Sequence, residues 1–187
     1  MSIDARSGAA AAKQQAEIRT YLLPVTLTSP AETFFVLLSQ NQVVEVLGKR
    51  PIGKVPCAPP YLKGVISYQD SLVPVSALEQ LCGAAAHESG GEIPQLVIVR
   101  TGAVDPDTGA PLKVAVIAGR RLRMARFTAA MLATGFNALA APEPLAASGI
   151  LKGYFSRQNN NIAVVDFHDL VAGMHGASRT QPSPKAV

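Results

Sequence analysis

Tyr61-Leu-Lys-Gly-Val-Ile-Ser-Tyr-Gln69 and Ile150-Leu-Lys-Gly-Tyr-Phe-Ser-Arg-Gln158 align without a gap at an offset of 89 residues. The match runs on, Val73-Pro-Val-Ser-Ala-Leu-Glu-Gln-Leu81 lying against Ile162-Ala-Val-Val-Asp-Phe-His-Asp-Leu170. Each copy, 61–81 and 150–170, reads as strand, turn, strand and short helix in one order. Two copies are too few for a solenoid, which takes at least about three, so a pair of similar β subdomains is expected. Their equivalent strands hold Leu62–Ile66 and Leu151–Phe155, and the matched Gly64 and Gly153 mark places where a strand bends or two backbones meet.

Outward from the repeat the chain is a series of short runs suited to a pleated surface: 21–28, 33–38, 42–47, 62–68, 72–76, 95–100 and 112–118. Ser29-Pro30, Gln40-Asn41, Pro59-Pro60, Gln69-Asp70 and Asp105-Pro106 punctuate them, which predicts antiparallel hairpins and a mostly β fold. Short helices are expected at Ala77–Cys82, with Ser76 as N-cap and Gly83 at the stop, and at Asp166–Ala172 before Gly173. A third, Thr128–Thr134, begins on a capping hydroxyl and ends before Gly135.

With 187 residues, 48% apolar and 16% charged, the chain has material for one folded unit. That unit is expected over 20–173, between loosely held tails at 1–19 and 174–187. Ala9–Ile18 within the first tail has the composition of a short helix without a sustained apolar stripe. The formal charge of +4 suits an acidic partner but bears on association rather than fold. Cys57 and Cys82 have no ligand spacing, and the chain is too large to depend on disulfides, so a reducing compartment fits. No signal peptide or membrane-spanning run is present, which predicts a cytoplasmic protein that does not insert into membranes.

Residues 56–83, Pro-Cys-Ala-Pro-Pro-Tyr-Leu-Lys-Gly-Val-Ile-Ser-Tyr-Gln-Asp-Ser-Leu-Val-Pro-Val-Ser-Ala-Leu-Glu-Gln-Leu-Cys-Gly, resemble a stretch of the CheW family. That stretch runs Asn-Ala-Pro, aromatic, apolar, Lys-Gly-Val, hairpin, Val-Pro-Val, short helix. Gln42-Val-Val-Glu-Val-Leu47 resembles the strand leading into it, and Leu151-Lys-Gly and Val164-Val-Asp-Phe167 its second-half counterpart, so the likeness covers about 20–173. The resemblance implies an all-β fold with a few short helices: two SH3-like five-stranded barrels sharing a core. It also implies a non-catalytic adaptor without cofactors, whose partners are a chemoreceptor signalling tip and a histidine kinase regulatory domain.

Val43, Glu45 and Lys63 match receptor-facing positions of the family, and Gln69 stands where the family hairpin carries arginine. Glutamine lacks the permanent charge and rigid donor fork of arginine, so standard receptor docking is expected to be weakened or redirected. The family aspartate after Val-Pro-Val is Ala77 here, while the second copy keeps Asp166. These departures suit a divergent adaptor, of a pilus-associated or other alternative chemosensory system.

Catalytic motifs are missing: the sequence holds no G-x-S-x-G, P-loop, G-x-G-x-x-G or H-E-x-x-H. His87, His168 and His175 read as structural or exposed rather than metal ligands. Asp105-Pro-Asp-Thr-Gly109 reads as a hairpin turn, since it lacks the further oxygens a calcium loop needs. Cys57 is expected to be a small packed residue and Cys82 to be buried. The run Gly119-Arg-Arg-Leu-Arg-Met-Ala-Arg126 reads first as a half-buried strand, Arg121 and Arg123 facing solvent and Leu122 and Met124 facing inward. An acidic protein is its next reading, and nucleic acid, lacking aromatic stacking partners, the last. An apolar ligand held between the barrels is a further class to weigh.

Overall fold

The computed structural model describes residues 17–28, 31–82, 95–119, 121–128, 131, 135–168 and 170–171. In chain order its elements are β1 (Glu17–Thr28), β2 (Ala31–Ser39), β3 (Val43–Leu47), β4 (Leu62–Tyr68), β5 (Ser71–Ser76), α1 (Leu78–Leu81), β6 (Gln95–Val104) and β7 (Pro111–Ala118). There follow β8 (Arg123–Thr128), β9 (Asn137–Ala138), α2 (Glu143–Ala146), β10 (Leu151–Arg157) and β11 (Asn160–Val165). The strands form a five-stranded sheet, β3-β6-β7-β5-β4, and a six-stranded one, β8-β1-β2-β11-β10-β9, the sixth strand being the two-residue β9. The protein is thus all-β with a few short helices, in two barrel-like subdomains.

The repeat survives at the level of hydrogen bonds. Leu62 faces Ser76 and Gly64 faces Val75 across a bulge in the first copy; Leu151 faces Val165 and Gly153 faces Val164 in the second. Both hairpins turn on two consecutive residues with positive φ, Gln69 (48°) and Asp70 (59°), and Gln158 (46°) and Asn159 (63°), as tight two-residue hairpins require. The Ala77 N–H donates to the Tyr61 carbonyl at 2.8 Å, as the Asp166 N–H does to that of Ile150.

The chain order of the barrels is less simple than the repeat. The first barrel uses β3 to β7, while the second combines β1 and β2 with β8 to β11. The expectation of antiparallel hairpins holds within each copy but not throughout, because β5 runs parallel to β7 and β11 parallel to β2. In the first barrel α1 carries the chain across before the β6–β7 hairpin, which brings β7 back alongside β5 in the same direction. Pro24 and Pro74 sit inside strands where the neighbouring ladder is missing: β8 pairs with β1 only up to Leu22, and β7 with β5 only from Val75.

The main core lies between the barrels, where Leu23, Val25, Phe34, Val36 and Ala163 meet Val97, Val99, Val114 and Val116. A smaller core fills the first barrel with Leu47, Ile66, Tyr68, Val73, Leu96 and Ile98. Consecutive strand residues point to opposite faces, so β6 sends Val97 and Val99 to one core and Leu96 and Ile98 to the other. This explains its unbroken apolar run.

Several expectations need correction. Glu17–Arg19, assigned to the tail, open β1 and pair with Arg126–Thr128. Ser76 is a fully buried strand residue rather than an N-cap; Ala77 takes the cap position without a side-chain hydrogen bond. Cys57 is exposed at φ 55°, in the loop between β3 and β4, and joins neither core, whereas Cys82 is buried as expected. On β8 Met124 points outward, 63% exposed, and Phe127 is the buried residue. The inward face there is Arg123, Ala125 and Phe127, one residue out of phase with the expectation. The Asp105 turn forms as read, its Oδ1 accepting the N–H groups of Asp107 and Thr108 at 2.9 and 2.8 Å. The expected helix at 128–134 is described only in part, with the Met131 N–H donating to the Thr128 hydroxyl at 3.3 Å. Residues 1–16, His87, His175 and the tail at 174–187 lie outside the described residues.

Candidate functional site

β3 and β4 are the two edges of the five-stranded sheet, and one side-chain bond brings them together. The Tyr68 hydroxyl, at the end of β4, donates to Glu45 Oε2 on β3 at 2.9 Å. Tyr68 is a core residue of the first barrel. Burial first, then its bond to Glu45 and that carboxylate's charge, push its pKa above the ordinary tyrosine value. Lys113 lies over the same ring, 5.6 Å from its centroid.

A bulge in β3 sets the direction of Glu45. Val43 faces Val99 and Glu45 faces Ile98, so Val44 is the extra residue. Val43 packs against the shared core while Glu45 stays exposed at the sheet edge. Gln69 follows Tyr68 directly as the first turn residue of the β4–β5 hairpin and is exposed. The structure therefore ties Glu45 through Tyr68 to the strand end from which Gln69 turns, while Val43, two residues before Glu45, packs toward the shared core.

Lys63 is not part of that group. It is half-buried at the other end of β4, and at about 3.3 Å per residue six positions separate it from Gln69 by roughly 20 Å. Sequence reasoning also missed a neighbour of Gln69. Leu72 is 73% exposed, paired with the exposed Ser67 on the outward face of the hairpin. Strand parity held the signal, because burying Val73 and Val75 forces Leu72 outward.

Among the described residues no group of His, Cys, Asp and Glu side chains is arranged to hold a metal ion. The seam between the barrels is filled by Val97, Val99, Val114 and Val116, each 0% exposed, which removes support for an apolar-ligand pocket there. No helix among the described residues is long and apolar enough to cross a membrane.

A crystal structure of the scaffolding protein TtCheW from Thermoanaerobacter tengcongensis superposes with a TM-score of 0.58 at 16% identity, covering 81% of this chain and 86% of that one. At that identity the likeness is one of fold. No curated protein matches the chain. The family model for the CheW-like domain matches residues 25–172. That span takes in both barrels from within β1 to the terminal helical turn, and the chain belongs to the CheW-like domain family.

Proposed function

We propose that the protein is a non-catalytic cytoplasmic adaptor that couples a chemoreceptor signalling tip to a histidine kinase regulatory domain, in chemotaxis or a related chemosensory pathway. Family membership supports this class of function, and the observation that carries the location is the exposed end of the first barrel. There Leu72, the most exposed large apolar side chain among the described residues, stands beside the hairpin turn at Gln69, and Tyr68, which precedes that turn, bonds Glu45 on β3. Covering a leucine side chain contributes about 1.5–3 kcal/mol, enough to anchor a partner helix or hairpin at a polar-rimmed patch. Lys63 belongs to the proposed surface as a second contact farther along β4.

The test is the affinity of the full chain for a purified receptor-tip hairpin. Gln69→Arg restores a charge-assisted donor worth about 1.5–3 kcal/mol and should tighten binding about tenfold or more. Leu72→Glu and Lys63→Glu should each weaken it. Wild-type affinity in all three variants would remove this surface from the account. The alternative, a small-barrel module for another acidic protein or for nucleic acid, draws on the arginines of β8.

A further inference from the structure

We propose that the outer edge of β8, together with the neighbouring end of β1, is a second docking surface that takes an extended acidic segment of a partner protein as an added strand. Four observations converge on it. First, Arg19 on β1 lies directly opposite Arg126 on β8, and both are exposed. Like charges facing each other across a ladder destabilise a sheet, so this pair costs the free protein stability. Glu17 offsets only part of it, through a half-exposed ion pair to Arg126 at 3.8 Å.

Second, Arg123 adds an exposed cation on the other face of the same edge strand, its guanidinium lying 5.2 Å from the centroid of the Phe35 ring, and Arg121 stands exposed just ahead of the strand. Resting on a ring face leaves a guanidinium's in-plane donors free to engage a carboxylate. Third, Met124 projects 63% exposed on the same face as Arg126, an adaptable apolar contact beside the Arg19–Arg126 pair.

Fourth, β8 is the last strand of its sheet. The Ala125 carbonyl turns toward β1, where the Thr20 hydroxyl also reaches it at 3.2 Å. Main-chain groups alternate along an antiparallel strand, so those of Met124 and Arg126 turn to the open side. Among the described residues neither has a backbone partner there. An unpaired edge accepts an extended chain, and the arginines select a negative one. Nucleic acid fits less well, because the ring on this face, Tyr21 opposite Met124, is half-buried against the core instead of offering a stacking platform.

The experiment titrates the full-length protein with a fluorescein-labelled peptide of alternating Glu and Val at low ionic strength, followed by anisotropy. The Lys-Val counterpart and an oligo-dT strand are titrated in parallel. The Glu-Val peptide should bind, Arg19→Glu and Arg126→Glu should each weaken it about tenfold, and Arg50→Glu, an exposed cation of the first barrel, should leave it unchanged. Amide exchange at Met124 and Arg126 should slow when the peptide is added. Arg19→Glu should also raise the thermal midpoint, because it turns a repulsive pair into an attractive one while removing the function. An equal loss in Arg50→Glu, tighter binding of oligo-dT, unprotected amides at Met124 and Arg126, or a lowered midpoint in Arg19→Glu would each overturn the proposal.

Discussion

At Gly64 the backbone takes φ 141°, and a Cβ there would run into the Gly53 carbonyl. That carbonyl is fixed by the Val65 N–H at 2.9 Å, and the Gly53 N–H bonds the Val65 carbonyl in return at 2.8 Å. Neither neighbour can move without losing a backbone pair, so Gly64→Ala should cost about 3 kcal/mol or more in chemical denaturation. The matched Gly153 offers a contrast, since a Cβ would meet only the Phe155 ring, at 2.6 Å. A side chain can turn aside, and Gly153→Ala should cost clearly less than Gly64→Ala. The repeat marked both glycines, but nothing in it distinguished a backbone obstacle from a side-chain one. Cys82 gives a residue-scale prediction in pH. Burial, with a smaller contribution from Glu79, pushes its thiol from 9.0 to about 11. The unfolded chain then releases this proton before the folded one does, so stability should fall as pH rises from about 9 to 11. Cys82→Ala should delay the onset of that fall toward pH 10, where Tyr68 and Tyr154, both raised first by burial, begin to act in the same direction. Denaturation midpoints measured across this range check it; identical profiles would contradict it.

Elements with a buried neighbour on a known side were legible in the chain. β4 was read with its observed bounds, Leu62–Tyr68, and β5 and β7 to within a residue at one end. Alternation there is anchored by Val73 and Val75, or by the doubly buried run of β6. On β8 it failed, because Arg-Leu-Arg-Met-Ala-Arg-Phe alternates equally well in either phase. Leu122, which packs against the shared core, precedes the strand, and Phe127 sets the true inward face. That face carries arginine because the second barrel is lined by phenylalanine rings on which guanidinium groups rest: Arg123 on Phe35, and Arg157 on Phe127 at 4.9 Å. The two repeat helices also differ. α1 starts at Ala77 without a side-chain cap, whereas the Asp166 carboxylate accepts the His168 N–H at 2.8 Å at the equivalent position. Asp166→Ala should therefore lower the urea midpoint by an amount equivalent to about 1 kcal/mol. An unchanged midpoint would show that the terminal turn is held by Phe167 and Leu170 alone.

For the molecule as a whole, the repeat revealed two barrels but not how the chain shares itself between them. Membership of β1 and β2 in the second barrel depends on the parallel contact of β2 with β11, a pairing well over a hundred residues apart that leaves no local trace. The candidate partner surface was legible for similar reasons only in part. Resemblance pointed to Val43, Glu45, Lys63 and Gln69, but the Tyr68–Glu45 bond that closes the sheet edges, and the exposed Leu72, emerge only once the barrel is built. The topology also sharpens an expectation about cleavage. A cut at Gly90 separates β3 to β5 from β6 and β7, and β1 and β2 from β8 to β11, so it divides both barrels and the shared core. Each fragment alone should fail to give a cooperative unfolding transition, and the two co-expressed should purify together. Two independently stable fragments would contradict the shared core. The central claim, that this fold serves to hold signalling proteins together, is tested most directly by capturing partners on the tagged full-length chain from an extract of its own cells and identifying those present in stoichiometric amount. A chemoreceptor and a histidine kinase are expected, with the receptor lost in Leu72→Glu; stoichiometric capture of nucleic acid, or of proteins that include neither, would contradict an adaptor role.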